Sequence, residues 1–161
     1  MDIFSHMLWG GLAFGWRKRL LYAMLFGLLP DFIPFFPFFL TRLFRGTLVW
    51  GRPPLDTFPS WVFPVYNTTH SLFLAVLLFF IIRSINKDLS FSFLAWPLHI
   101  LMDIPTHTKA FFPTKFLFPL SHFCIDGFDW ASPRFLLTDY SLLFLAFGFF
   151  IYLRWKKQKT G

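Results

Sequence analysis

Three side chains that can bind a metal ion or move a proton stand in one apolar stretch, Trp96-Pro97-Leu98-His99-Ile100-Leu101-Met102-Asp103-Ile104-Pro105-Thr106-His107. If the chain is helical up to Ile104, His99 and Asp103 are four residues apart, and their side chains lie one turn above the other on a single face. Pro105 disfavours helical geometry at the preceding residue, so the helix is expected to end at Ile104 and the chain to turn His107 back toward the same spot. The pattern H-x-x-x-D-x-x-x-H thus reads as a divalent-metal site. The competing reading is a hydrogen-bonded His-Asp pair on a helix. The apolar setting favours the metal.

Composition sets the medium in which such a site must work. The 161 residues are 56% hydrophobic, 27 of them Phe, and only 14% are charged, against about 25% charged in an ordinary soluble chain. An integral membrane protein of one domain, residues 1–161, is the expectation. The net charge of +7 does not imply nucleic acid, because the basic residues fall mainly at the ends of apolar segments instead of forming a stripe. One cysteine, Cys124, excludes an intramolecular disulfide and a cysteine-based zinc site. All eight acidic residues are Asp, so any carboxylate chemistry belongs to Asp.

Five apolar segments carry the candidates. The expected helices are Ile3 to Trp16, Leu20 to Leu29 (ended by Pro30-Asp31), His70 to Arg83 (capped by Asn67-Thr68-Thr69), Leu89 to Ile104, and Leu136 to Leu153. Between them, residues 32–66 and 105–135 read as long Phe-, Trp- and Pro-rich connections suited to the membrane interface. The fold class is therefore all-α, an integral membrane bundle of about five helices with two long aromatic, proline-rich interfacial loops. Threading these helices with the N-terminus outside puts Arg17, Lys18, Arg19, Arg83, Lys87, Arg154, Lys156, Lys157 and Lys159 inside, and leaves the C-terminal tail cytoplasmic. The same threading brings His6, Asp31, His70, His99, Asp103 and His107 to the outer side. None of these six entered the charge count, so their agreement is independent support for one site. Each alone has a plain alternative as a hydrogen-bonded interfacial group. As a set of intramembrane ionisable residues they mark a function.

Four His and two Asp without Cys suit zinc, with manganese as the alternative, and could hold one or two ions. His6, Leu29-Pro30-Asp31, Thr69-His70-Ser71, His99-x-x-x-Asp103 and Pro105-Thr106-His107, followed by Pro113-Thr114-Lys115 and Phe118-Pro119-Leu120-Ser121, resemble the YdjM-like membrane-bound metal-dependent hydrolases. The order Asp31, His70, His99-x-x-x-Asp103 is also similar to that of zinc-dependent phospholipase C and related nucleases, from which this chain differs in having no glutamate ligand. The resemblance implies metal-assisted hydrolysis of a phosphoester. Asp31 or Asp103, or nearby Asp126 or Asp129, would act as base. Lys109, Lys115, His122 and Arg134 would receive a phosphate, each otherwise an ordinary interfacial residue. The expected partners are the lipid bilayer and a phospholipid or lipid-linked substrate, with no nucleic acid. A non-catalytic, metal-stapled interaction or regulatory protein ranks second. A metal or proton transporter, which would place ligands near the membrane midplane on broken helices, ranks third.

Overall fold

The computed structural model describes residues 1–16, 19–49 and 51–160. Arg17 and Lys18, two of the residues assigned to the inner side, lie outside the described residues. The chain is all-helical, and seven α-helices occur among the described residues: α1 (Ile3–Phe14), α2 (Leu20–Phe44), α3 (Val62–Thr69), α4 (Leu72–Ile85), α5 (Lys87–Phe93), α6 (Ala95–Thr106) and α7 (Pro133–Thr160), with a 3-10 turn at Leu55–Thr57. Two helices, α2 and α7, are long and apolar enough to cross a membrane. The consecutive helices α3 and α4, bent by 58° at their junction, form a broken candidate for a third crossing.

The helix count exceeds five, and each departure has a local cause. α2 does not stop at Leu29 but runs through Pro30, Pro34 and Pro37 to Phe44. Each proline removes one backbone hydrogen bond, while Pro30, Asp31, Pro34 and Phe38 continue the buried face begun by Ala23 and Gly27. Packing of Phe35 and Phe38 against Phe58, Tyr66 and Phe112 holds the far half of the helix in place. The connection expected over residues 32–66 thus shrinks to residues 45–61. The fourth expected helix divides at Leu94 into α5 and α6, because the ring of Pro97 cannot share a continuous helix with the carbonyl four residues before it; in the first turn of a new helix it costs nothing. α6 then continues through Pro105 to Thr106, where the Thr106 hydroxyl donates to the Met102 carbonyl at 2.9 Å. Asn67-Thr68-Thr69 lie inside α3, and Ser71, not those residues, caps α4 by accepting from the Leu74 N–H at 3.1 Å.

α1 and α2 meet backbone to backbone. A Cβ on Gly10 would lie 3.0 Å from the Ala23 carbonyl oxygen and 3.2 Å from Gly27 Cα, and a Cβ on Gly27 would lie 2.6 Å from the His6 carbonyl oxygen. Small residues permit such close approach in membrane bundles, and here they set the distance between α1 and the α2 face that carries Asp31. Gly27→Val is therefore expected to force α1 outward, costing about 1–3 kcal/mol from overpacking; a thermal melt in detergent beside the exposed control Gly148→Val, whose added Cβ meets nothing within 4 Å, measures it.

α7 lies against α1 through Leu143 and Phe150, which cluster with Leu12. Asp139 accepts hydrogen bonds from Ser5 Oγ at 2.5 Å and Trp9 Nε1 at 2.8 Å, and Tyr140 donates to Asp2 at 2.9 Å. At the opposite end, Arg154 donates to the carbonyls of Gly15 and Trp16, and Arg19 pairs with Asp88 at 3.4 Å. The Arg19 end of α2, the Asp88 end of α5 and the Arg154 end of α7 therefore share one end of the bundle, and His6 and Asp2 lie toward the other. Asp139→Ala would leave the Ser5 and Trp9 donors unpaired, with an expected loss of about 1–3 kcal/mol, read as a lower melting temperature.

Candidate metal centre

Asp103 is the hub of a buried polar cluster inside this apolar bundle. Its Oδ2 lies 3.2 Å from His70 Nε2 and 3.2 Å from His99 Nε2. Asp31 Oδ1 completes the group at 3.3 Å from His70 Nε2 and 3.8 Å from His99 Nε2, and the two imidazole nitrogens are 3.1 Å apart. These separations approach the edges of a tetrahedron, about 3.3 Å for four N and O ligands held about 2.0–2.1 Å from one ion. All four ligand atoms lie within 4.8 Å of one another, and the four residues together could hold a metal ion.

The other carboxylate oxygen faces a second group. Asp103 Oδ1 is 2.8 Å from His6 Nε2 and 3.3 Å from His107 Nε2. The α-amino group of Met1 also reaches it at 2.5 Å, and touches Thr106 Oγ1 at 3.2 Å and His107 Nε2 at 3.3 Å. The rings of His6 and His99 stack with centroids 3.6 Å apart, so the two groups adjoin. One carboxylate therefore stands between two sets of imidazoles.

Hydrogen bonds behind the cluster aim these rings. Nδ1 of His99 faces the Gly27 carbonyl at 2.7 Å, Nδ1 of His70 the Tyr66 carbonyl at 3.0 Å, and Nδ1 of His107 the Phe112 carbonyl at 2.8 Å. A carbonyl only accepts, so Nδ1 of each ring carries a proton, which leaves Nε2, the nitrogen turned toward Asp103, as the one that can ligate a metal when the ring is neutral. The Nε2 atoms of His70 and His99 converge at 3.1 Å, close enough to share one bound cation. Asp103 Oδ2, buried and without a hydrogen-bond partner, calls for such a cation, since an atom of this kind is costly in an apolar interior. The residues fit a divalent ion.

Distant segments supply this geometry. His70 sits at the break between α3 and α4, where Ser71 Oγ donates to the Phe118 carbonyl and the Leu72 N–H to the Phe116 carbonyl at 2.8 Å. His107 is held by the irregular stretch after α6: the Gly127 N–H donates to its carbonyl at 2.9 Å, and Phe128 and Trp130 N–H groups donate to Pro105 and Thr106. A Cβ on Gly127 would come within 2.2 Å of the Pro105 oxygen, so only glycine allows this pairing. Tyr66 stacks on His70 at 3.8 Å and donates to the Phe112 carbonyl at 3.2 Å. Outside the cluster, Arg52 donates to Asp129 and covers Trp130 at 5.3 Å. That hydrogen bond holds the Asp129 carboxyl below its usual range.

All six ligand candidates from the sequence thus meet, each at most 6% exposed. The candidate phosphate-binding residues do not join them: among the described residues no hydrogen bond or ion pair links Lys109, Lys115, His122 or Arg134 to the cluster, and Lys109, His122 and Arg134 are exposed. Asp126 instead accepts from the Lys109 backbone N–H at 2.7 Å, and Asp129 is occupied by Arg52. Sequence reasoning passed over Tyr66, whose signal is weak, and Asp139, whose signal was available as a lone carboxylate inside an apolar span. Asp31 also lies deeper than expected, close to the middle of α2 and about 17 Å from its start at 1.5 Å per residue. Comparison of the chain with family models, characterised proteins and solved structures finds no match.

Proposed function

We propose that the protein is a membrane-bound metal-dependent hydrolase acting on a phosphoester, either a phospholipid or a lipid-linked compound, with the N-terminus and site toward the outside and the tail cytoplasmic. The observation that carries this reading is the Asp103 carboxylate shared between two imidazole groups, Oδ2 toward His70 and His99 and Oδ1 toward His6 and His107. Asp31, His70, His99 and Asp103 would hold one ion, and His6, His107 and Asp103 a second, zinc being the metal whose ligand preferences fit best and manganese the alternative. A divalent ion bound there supplies Lewis acidity and lowers the pKa of water toward neutrality. The chain's own part is to aim the lone pairs of His70, His99 and His107 through their Nδ1 contacts, and to accept a proton. Both oxygens of Asp103 face imidazoles, whereas Asp31 faces them through Oδ1 alone, so Asp31 is the better proton acceptor. Burial of the cluster among aromatic residues excludes bulk water and strengthens each charge interaction within it.

A metal staple without catalysis is the second reading, favoured by four protein donors close enough together to surround one ion, the ligand count of closed structural sites. Transport ranks third, supported by His70 at a helix break and Asp31 at the middle of α2.

The test is metal content of detergent-purified wild type, His99→Ala and Asp103→Ala, with phosphodiester, phosphomonoester and fluorogenic phospholipid hydrolysis on the same samples. Metal and hydrolysis lost together in both variants support the hydrolase. Bound metal with no turnover of any of the three substrates moves the assignment to the staple, and metal-dependent flux into proteoliposomes moves it to transport. Absence of metal after purification without chelators and attempted reloading rejects the hydrolase, the staple and metal transport.

A further inference from the structure

The end of α2 opposite Arg19 carries a feature that the metal chemistry does not use. Gly46 takes φ +64°, the Thr47 N–H returns to the Arg42 carbonyl at 3.0 Å, and the chain reverses in a Schellman-type cap. The reversal lays Leu48 and Val49 opposite Phe35, Phe38 and Phe39, leaving an apolar groove of about 550 Å³ between them, within the range of about 300–1,000 Å³ common to small-ligand sites. A second hollow of about 170 Å³ adjoins it, sharing Phe38 and Arg42, and its remaining lining is Arg45 with the hydroxyl residues Thr41, Thr47 and Thr57, closed on one side by Pro59. An apolar channel therefore runs into a basic, hydroxyl-lined cup.

Among the described residues no carboxylate compensates the charge in the cup. Arg42 is fixed by Nε and Nη2 donating to the Thr47 carbonyl at 3.0 and 2.8 Å and by Nη1 donating to Thr57 Oγ1 at 3.3 Å, all neutral acceptors. Arg45 is exposed, and among the described residues neither arginine pairs with a carboxylate, Asp56 beside Thr57 included. Both arginines close a 25-residue apolar helix, long enough to cross a hydrocarbon core of about 30 Å, which sets the cup at headgroup depth and the groove against the acyl region.

We propose that this groove and cup form a binding site for one anionic phospholipid, its acyl chain along Phe35, Phe38, Phe39 and Val49 and its phosphate at Arg45 and Arg42. The site is separate from the metal centre, screened from it by Tyr66 and Phe112, and does not depend on hydrolysis. The unpaired guanidinium groups select a lipid with net negative charge over a zwitterion, and the apolar groove selects a lipid over a free phosphate.

Native mass spectrometry of the detergent-purified full chain with dioleoyl phosphatidylglycerol or dioleoyl phosphatidylcholine tests this. Wild type is expected to retain one phosphatidylglycerol with a preference of about fivefold or more, the scale of one basic residue near an anionic surface. Arg45→Gln, at an exposed position with no partner among the described residues, should abolish the preference, and Val49→Trp, which fills the groove, should weaken retention of both lipids; an unchanged circular-dichroism spectrum and melting temperature in each variant show that the fold is intact. Equal retention of the two lipids by wild type, or an undiminished preference in Arg45→Gln, overturns the proposal. So does displacement of the lipid by millimolar inorganic phosphate, which would make the cup a free-anion site, or a lipid-free dimer that covers the groove with a second copy.

Discussion

Asp103→Ala is expected to release every metal ion the protein carries, whereas His99→Ala and His6→Ala should each affect one position. The asymmetry follows from the carboxylate: Oδ2 faces the Asp31, His70 and His99 group, and Oδ1 faces His6 and His107. Loss of residues that merely orient a ligand costs about 10–100-fold in metal affinity, so removal of a ligand shared by two positions should exceed about 100-fold. Elemental analysis of the purified variants gives the stoichiometry directly. His6→Ala should retain the ion of the four-donor group, and Asp103→Ala should retain none. Equal metal content in all three proteins would show that Asp103 is not shared, and would reduce the cluster to a network of hydrogen bonds.

Removal of metal from the wild type should lower the melting temperature on the order of 10 °C. An ion at about 1,000 times its dissociation constant stabilises the folded state by about 4 kcal/mol, and in a chain of this size each kcal/mol moves the midpoint by about 2–4 °C. The physical source lies in the cluster itself: Nε2 of His70, Nε2 of His99 and Oδ2 of Asp103 converge to 3.1–3.2 Å of one another in a buried site, and one bound cation would hold all three together. Chelation followed by differential scanning fluorimetry in detergent measures the drop. Zinc should restore the original midpoint and magnesium should not, since a site with two imidazole donors does not suit an ion that prefers six oxygens. A midpoint insensitive to chelator would mean that the fold is indifferent to an ion at this position.

The residue types and their order established much about this chain. A composition so apolar and so poor in charge requires a membrane-sized apolar environment, and six ionisable side chains at comparable depth are tolerated there only when they serve one another. The spacing of His99 and Asp103 put both on one helix face because the helical period leaves no other arrangement. Helix boundaries were less legible, because a proline acts as a stop only when nothing else holds the chain. Pro30 and Pro34 lie on the buried face of α2 and Pro37 on its exposed side, and aromatic packing by Phe35 and Phe38 outweighs the three missing hydrogen bonds. Pro97 lies where its ring does break the chain, dividing α5 from α6.

Only the tertiary structure decided how the six candidate ligands divide. That His70 and His99 approach one oxygen of Asp103 while His6 and His107 approach the other depends on the close glycine contact of α1 with α2, on the 58° break before α4, and on a loop folded against the end of α6. These are long-range contacts, and no local propensity encodes them. The same reason explains why Lys109, Lys115, His122 and Arg134, plausible by their place in the chain, stay outside the cluster. It also explains why Asp139, conspicuous as a lone carboxylate in an apolar span but without a visible partner, became the polar link between the first helix and the last. The ligand types were a property of the chain; their sharing through one buried carboxylate is a property of the packed bundle, because burial denies that carboxylate any partner except the groups that converge on it.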